Sequence, residues 1–67
     1  MKEYLIKVAE LQKYNTLWRN GQTHFNVLSD LYPEIAEKVR GTKIDPFHND
    51  KVLPEFLSFV ELEISKL

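Results

Sequence analysis

The chain has no cysteine, which rules out a disulfide framework and any zinc site built on thiolates. It carries two glycines and three prolines in 67 residues, too few for a low-complexity or linker-like chain. Neither charge sign dominates. Nine basic and ten acidic side chains leave a formal net charge of -1, without the strongly basic balance of a dedicated nucleic-acid module and without a charged tail. No window approaches the ~18 consecutive apolar residues of a membrane span. The opening Met-Lys-Glu-Tyr-Leu-Ile-Lys has no apolar run long enough for a signal peptide. There is no Gly-x-Ser-x-Gly elbow, no phosphate loop and no His-x-x-x-His pair. The expectation is therefore a non-enzymatic chain with no cofactor, no metal and no membrane association.

What is present suits one small core. Apolar residues make up 43% of the chain, ordinary for a globular domain and too high for a disordered segment. A chain of this size buries only roughly 60% of its unfolded surface, so it is marginal unless it packs well or associates. One domain spanning 1–67 is expected.

The punctuation is concentrated in the middle. Both glycines and two of the three prolines fall between Asn20 and Phe47, and the flanking segments read as helices closing over that stretch. In the first segment, 2–14, Tyr4, Val8 and Leu11 recur at helical spacing with Leu5 beside them. Ile6 falls outside that stripe. Asn15 and Thr16 compete for backbone hydrogen bonds and mark a break, after which Leu17 and Trp18 are expected to turn inward. Asn20-Gly21 reads as a tight reversal, with the Asn20 side chain capping the next helix.

Segment 21–31 places Phe25, Leu28, Leu31 and Tyr32 on one face, with Val27 and His24 at its margins. Gln22, Thr23, Asn26, Ser29 and Asp30 share the other face. Pro33 ends this helix and opens the next, with Glu34 at the positive end of the dipole. That third helix buries Ile35, Ala36 and Val39 and stops at Gly41. Residues 42–53 read as a loop with turn formers Asp45-Pro46 and Asn49-Asp50, packed down by Ile44 and Phe47. Leu53-Pro54-Glu55-Phe56 repeats the start signal. Leu53, Leu57, Val60, Ile64 and Leu67 then form a stripe with Phe56 beside it, Phe59 at its edge and Leu62 pointing away. No segment alternates apolar and polar residues, so no strand is expected. The fold class is all-α: a compact bundle of three to four helices with one ordered loop. Phe25, Leu28, Leu31, Ile35, Val39, Phe47, Leu57, Val60 and Ile64 should be mostly buried.

One pattern is specific as a string: Arg19-x-Gly21-Gln22-x-x-Phe25-Asn26-x-Leu28, then Pro33, then Arg40-Gly41-Thr42-x-x-Asp45-Pro46-Phe47-x-x-Asp50. It resembles a group of short bacterial and phage-encoded proteins over roughly the middle half of the chain. The resemblance implies a bacterial or phage origin and a cytoplasmic setting. It transfers no activity and no catalytic residue.

Four polar or apolar features are candidates for function. Asp45, His48, Asn49 and Asp50 form the densest polar cluster, but Pro46 and Phe47 interrupt any ligand spacing and turn or cap roles fit better. His24, with no acidic partner within four residues on its helix, fits a packed, hydrogen-bonded histidine. Arg19, Lys38, Arg40 and Lys43 offer a basic patch around Gly41, or alternatively complement a helix C-terminus and brace the loop by pairing Arg19 or Arg40 with Asp45. Apolar residues outside the stripes, Ile6, Phe59 and Leu62, together with Tyr4, Tyr14 and Trp18, are candidates for an exposed contact surface. The leading expectation is a protein-binding module, a regulatory or accessory subunit, homodimeric through a symmetric contact of the first and last helices. The second is a nucleic-acid-binding regulator using the Arg40 region.

Overall fold

The computed structural model describes residues 1–67. It contains four helices and no strand: α1 (Lys2–Tyr14), α2 (Asn20–Leu31), α3 (Pro33–Val39) and α4 (Leu53–Ser65), with one 3-10 turn (Asp50–Val52) leading into α4. None of the helices is long and apolar enough to cross a membrane.

Helix α2 is the axis. It packs against α1, against α3 and against the 3-10 turn. Phe25, Val27 and Leu28 are all buried on it, and so are Gly21 and Thr23. Thr23 was expected on the polar face. It is buried because α2 is covered over more of its circumference than a one-sided amphipathic helix, and its hydroxyl is satisfied locally by donating to the Arg19 carbonyl at 3.3 Å. Removing side chains such as Val27 and Leu28 from water contributes roughly 1.5–3 kcal/mol each.

Each helix boundary has a chemical cause. α1 stops at Asn15, whose side-chain amide donates back to the Leu11 carbonyl at 3.0 Å. α2 stops at Tyr32, pushed out of helical dihedrals by the following Pro33, which is the first residue of α3. After α3 the chain leaves the helix at Arg40 and reverses through Gly41, the one residue with positive φ (75°). Pro54 and Glu55 open α4 as Pro33 and Glu34 open α3.

Three expectations about packing are corrected. Tyr4 was a candidate for the surface, yet it is fully buried in the core. Leu17 was expected to turn inward, yet it is 97% exposed. The 15–19 turn is closed by its own polar bonds, Trp18 N–H to the Asn15 carbonyl and the Gln12 amide to the Trp18 carbonyl, so nothing draws Leu17 inward. In α4 the most buried face is Phe56, Val60 and Glu63, while Leu53, Leu57 and Ile64 are half-buried. The helix is turned by less than one residue step from the apolar stripe. Leu31 and Phe47 are likewise half-buried, packed against the core from its rim. The remaining expected core residues, Phe25, Leu28, Ile35, Val39 and Val60, are buried.

Candidate functional site: loop clamp, buried polar pairs and exposed apolar surface

The 40–49 loop is fastened to the N-terminus of α2. The first N–H groups of a helix have no intrahelical partner. Here the Gly21 N–H is taken by Asp50 Oδ1 at 2.9 Å, from 29 residues away in sequence. Asn20 therefore does not act as the side-chain cap; Arg19 holds the cap position with no side-chain cap bond. The Asp50 carboxylate also meets the positive end of the α2 dipole and lies 3.6 Å from the Arg19 guanidinium. Arg19 donates to the Phe47 carbonyl as well. Gly21 is glycine for a steric reason. A Cβ there would run into the Pro46 carbonyl oxygen and sit 2.7 Å from Asp50 Oδ1.

Asp45 works within the loop. One carboxylate oxygen accepts from the Gly41 N–H at 2.7 Å and the other from the Phe47 N–H at 3.0 Å. The expected pairing of Asp45 with Arg19 or Arg40 does not form, because two backbone N–H groups of the turn reach the carboxylate first. Arg40 instead pairs with Glu37, reaches the Ser29 hydroxyl at 3.4 Å, and lies 5.5 Å over the Phe25 ring. Phe25 in turn meets Phe47 edge to face at 6.0 Å. The structure thus gathers Arg19, Gly21, Phe25, Arg40, Asp45, Pro46, Phe47 and Asp50, eight of the fourteen residues of the motif string, into one clamp. Asn49 accepts from the Lys51 N–H, and the His48 ring packs against Phe47 at 4.8 Å. No three His, Asp or Glu side chains come together as a metal-holding group.

His24 is packed and hydrogen-bonded as expected, but its partner Tyr4 and a second buried polar group at Glu63 escaped sequence reading. The Tyr4–His24 pair joins α1 to α2. Tyr4 Oη lies 3.0 Å from both His24 Nδ1 and the His24 carbonyl oxygen. One hydroxyl hydrogen serves one acceptor well. Both contacts are satisfied when Nδ1 carries the ring proton and donates to Tyr4 Oη while the hydroxyl donates to the carbonyl. Burial holds the Tyr4 hydroxyl far above its ordinary range. Burial also lowers the His24 pKa, partly offset by the Asp50 charge. Both groups are held neutral, with the His24 ring against the edge of Phe56.

The second pair ties α3 to α4. Glu63 is only 7% exposed. Its oxygens accept from Lys38 Nζ at 2.6 Å and from Lys66 Nζ at 2.9 Å. Those hydrogen bonds, Lys38 first, hold its carboxyl below the ordinary value of 4.5 despite an opposing desolvation. An acidic residue three places after Val60 gave no periodic signal of burial; the ammonium groups of Lys38, arriving from another helix, and of Lys66 make its inward position tolerable.

Of the four cations of the expected basic patch, Arg19, Lys38 and Arg40 are paired with carboxylates, and Lys43 alone has no ion pair. Among the expected contact residues, Ile6 is 51% and Leu62 56% exposed. Phe59 is half-buried and packs against the core. Ile6 and Leu62 line different concavities, Ile6 with Glu3, Lys7, Glu10 and Leu31, Leu62 with Ser58, Glu61 and Ser65. The structure does not join them into one face. Tyr14 is 81% exposed and Trp18 half-buried. Comparison with protein-family models, with curated proteins and with solved structures finds no match to this chain.

Proposed function

We propose that this chain is a small non-enzymatic protein-binding module, a regulatory or accessory subunit acting in the cytoplasm and able to self-associate. One observation carries the reading: Ile6 and Leu62 lie more than half exposed on α1 and α4, where a monomer gains nothing from wetting them. The polar groups available for chemistry are already committed. His24 and Tyr4 bind each other, Asp45 and Asp50 hold backbone N–H groups, and Glu63 is held by two lysines. The competing nucleic-acid reading keeps Lys43 as its one cation outside an ion pair and loses support from the neutralised Arg19, Lys38 and Arg40.

The test is affinity capture from the native host with the wild type, with Ile6→Glu and with Leu62→Glu, each with and without nuclease. A protein retained by the wild type and released by one of the charge substitutions, regardless of nuclease, is the expected result. Capture that ignores both substitutions but vanishes with nuclease overturns this reading in favour of the Arg40 region.

A further inference from the structure

Helix α1 is the most lightly fastened helix of the bundle. Two of its 13 residues, Tyr4 and Val8, are buried, while Leu5, Ile6 and Tyr14 stand in solvent. It takes part in none of the four ion pairs. It packs against α2. Its hydrogen bonds to another helix are the two at Tyr4 Oη, with His24 Nδ1 and with the His24 carbonyl oxygen. The other helices are tied to one another without it. Asp50 holds the Gly21 N–H, and Lys38 on α3 holds Glu63 on α4.

His24 sits where a positive charge has no free partner. With Nδ1 donating to Tyr4, the proton that charges the ring enters at Nε2. That atom bonds to no group of the protein and still reaches solvent, since no buried side-chain nitrogen lacks a partner. From α1 the ring meets the uncharged Tyr4, and from α4 the uncharged Phe56. The carboxylate that acts on it is Asp50 of the 3-10 turn. Asp50 is already engaged by the Gly21 N–H and lies 3.6 Å from Arg19. Burial outweighs the Asp50 attraction and places the His24 pKa below 6.5. An imidazolium covered on one side by aromatic rings is relieved by water, and Tyr4 is the group that keeps water from that side.

We propose that His24 is a proton-operated latch: its protonation loosens the Tyr4 joint and releases α1 from α2 while α2, α3 and α4 stay assembled. A lightly packed element opens at lower cost than the whole fold. The sign follows from linkage. Undocked His24 takes up its proton at the ordinary 6.5 and docked His24 only at lower pH. Docking of α1 is therefore at full strength above 6.5 and weakens as pH falls from there to the docked value. Glu63 titrates in a separate window, below 4.5. The latch is independent of the protein-binding reading, and its test reads the isolated chain.

The test is amide hydrogen exchange on the full chain at about pH 7 and about pH 5.5, expressed as protection factors to remove the intrinsic pH dependence. Between these values ordinary carboxylates and the α-amino group hold their charge, so the two histidines, His24 and His48, are the groups that change it. Protection in α1 should fall severalfold, with a ceiling of about eightfold set by the undocked value of 6.5. The amides of α3 and α4 should keep theirs. His48→Gln should respond as the wild type does. His24→Asn, whose amide nitrogen stands in for Nδ1, should show no pH response in α1. Where that variant fails to fold, NMR titration of the wild-type imidazole decides: the His24 ring should titrate below 6.5, and α1 protection should level off at that same pH. Unchanged α1 protection overturns the latch, and so does an equal loss in α3 and α4, which is unfolding of the whole chain. A response that survives His24→Asn or vanishes in His48→Gln overturns it as well, as does a His24 midpoint at or above 6.5. None of these results touches the capture experiment.

Discussion

The two connections that flank α2 at its N-terminal end make an instructive pair. The 15–19 turn is short, closed by local hydrogen bonds, and leaves a leucine in water. The 40–49 loop is about twice as long, yet Pro46 is fully buried and its polar groups are bonded to one another and to α2. Length does not decide order here. The longer connection is fixed because Asp50, the first residue of the 3-10 turn that follows it, supplies what α2 lacks, an acceptor for an orphan N–H at its first turn. The shorter one satisfies itself and has no need of the core.

Leu28→Ala removes support shared by both connections. Leu28 is fully buried on α2, and the substitution should cost about 2–5 kcal/mol in denaturant titration, with both connections losing amide protection together. A cost below about 0.5 kcal/mol, the range of ordinary surface changes, would show that α2 is not the axis.

Gly21→Ala separates the two. The new methyl collides with the Pro46 carbonyl, and the loss should be about 1–3 kcal/mol. Hydrogen exchange should accelerate in the 40–49 loop while the 15–19 turn keeps its wild-type rates. Equal acceleration in both would dissolve the distinction drawn between them.

Acid tests the second anchor of the same region, where Lys38 at the end of α3 meets Glu63 on α4. Because the folded-state pKa of Glu63 lies below 4.5, its contribution is fully present above pH 4.5 and is lost as pH falls through the lower folded value. Thermal melts of the wild type should weaken over that window more than those of Glu63→Gln. Parallel acid profiles for the two proteins would remove Glu63 from the account.

The smallest effect is expected at Leu17→Ser. An almost fully exposed side chain contributes nothing to folding, so stability should change by no more than about 0.5 kcal/mol. A larger loss in a dilute monomeric sample would mean that the 15–19 turn does pack inward.

Periodicity and punctuation were enough to locate the helices, because each boundary is written in local chemistry: Asn15, Pro33, Gly41 and Pro54 act on the backbone within a residue or two of where they stand. The rotation of α4 was not legible. Its stripe of Leu53, Leu57 and Ile64 is a fair helical face, and Lys38 arriving from α3, together with Lys66, lets Glu63 take the inner position. The clamp was half legible. Asp45, Arg19 and Arg40 were marked as bracing residues, but Asp45 bonds to backbone N–H groups and Arg19 reaches Asp50 and Phe47.

The sequence by itself determined the all-helical class, the helix limits and most of the core positions, since these follow from propensities and spacings a few residues long. The tertiary structure alone decided the partners of Asp50, Glu63, Tyr4 and His24, and left Leu17 outside. Those outcomes depend on which polar group from a distant segment reaches a given atom first, and a buried donor, acceptor or charge is stable only where that partner arrives.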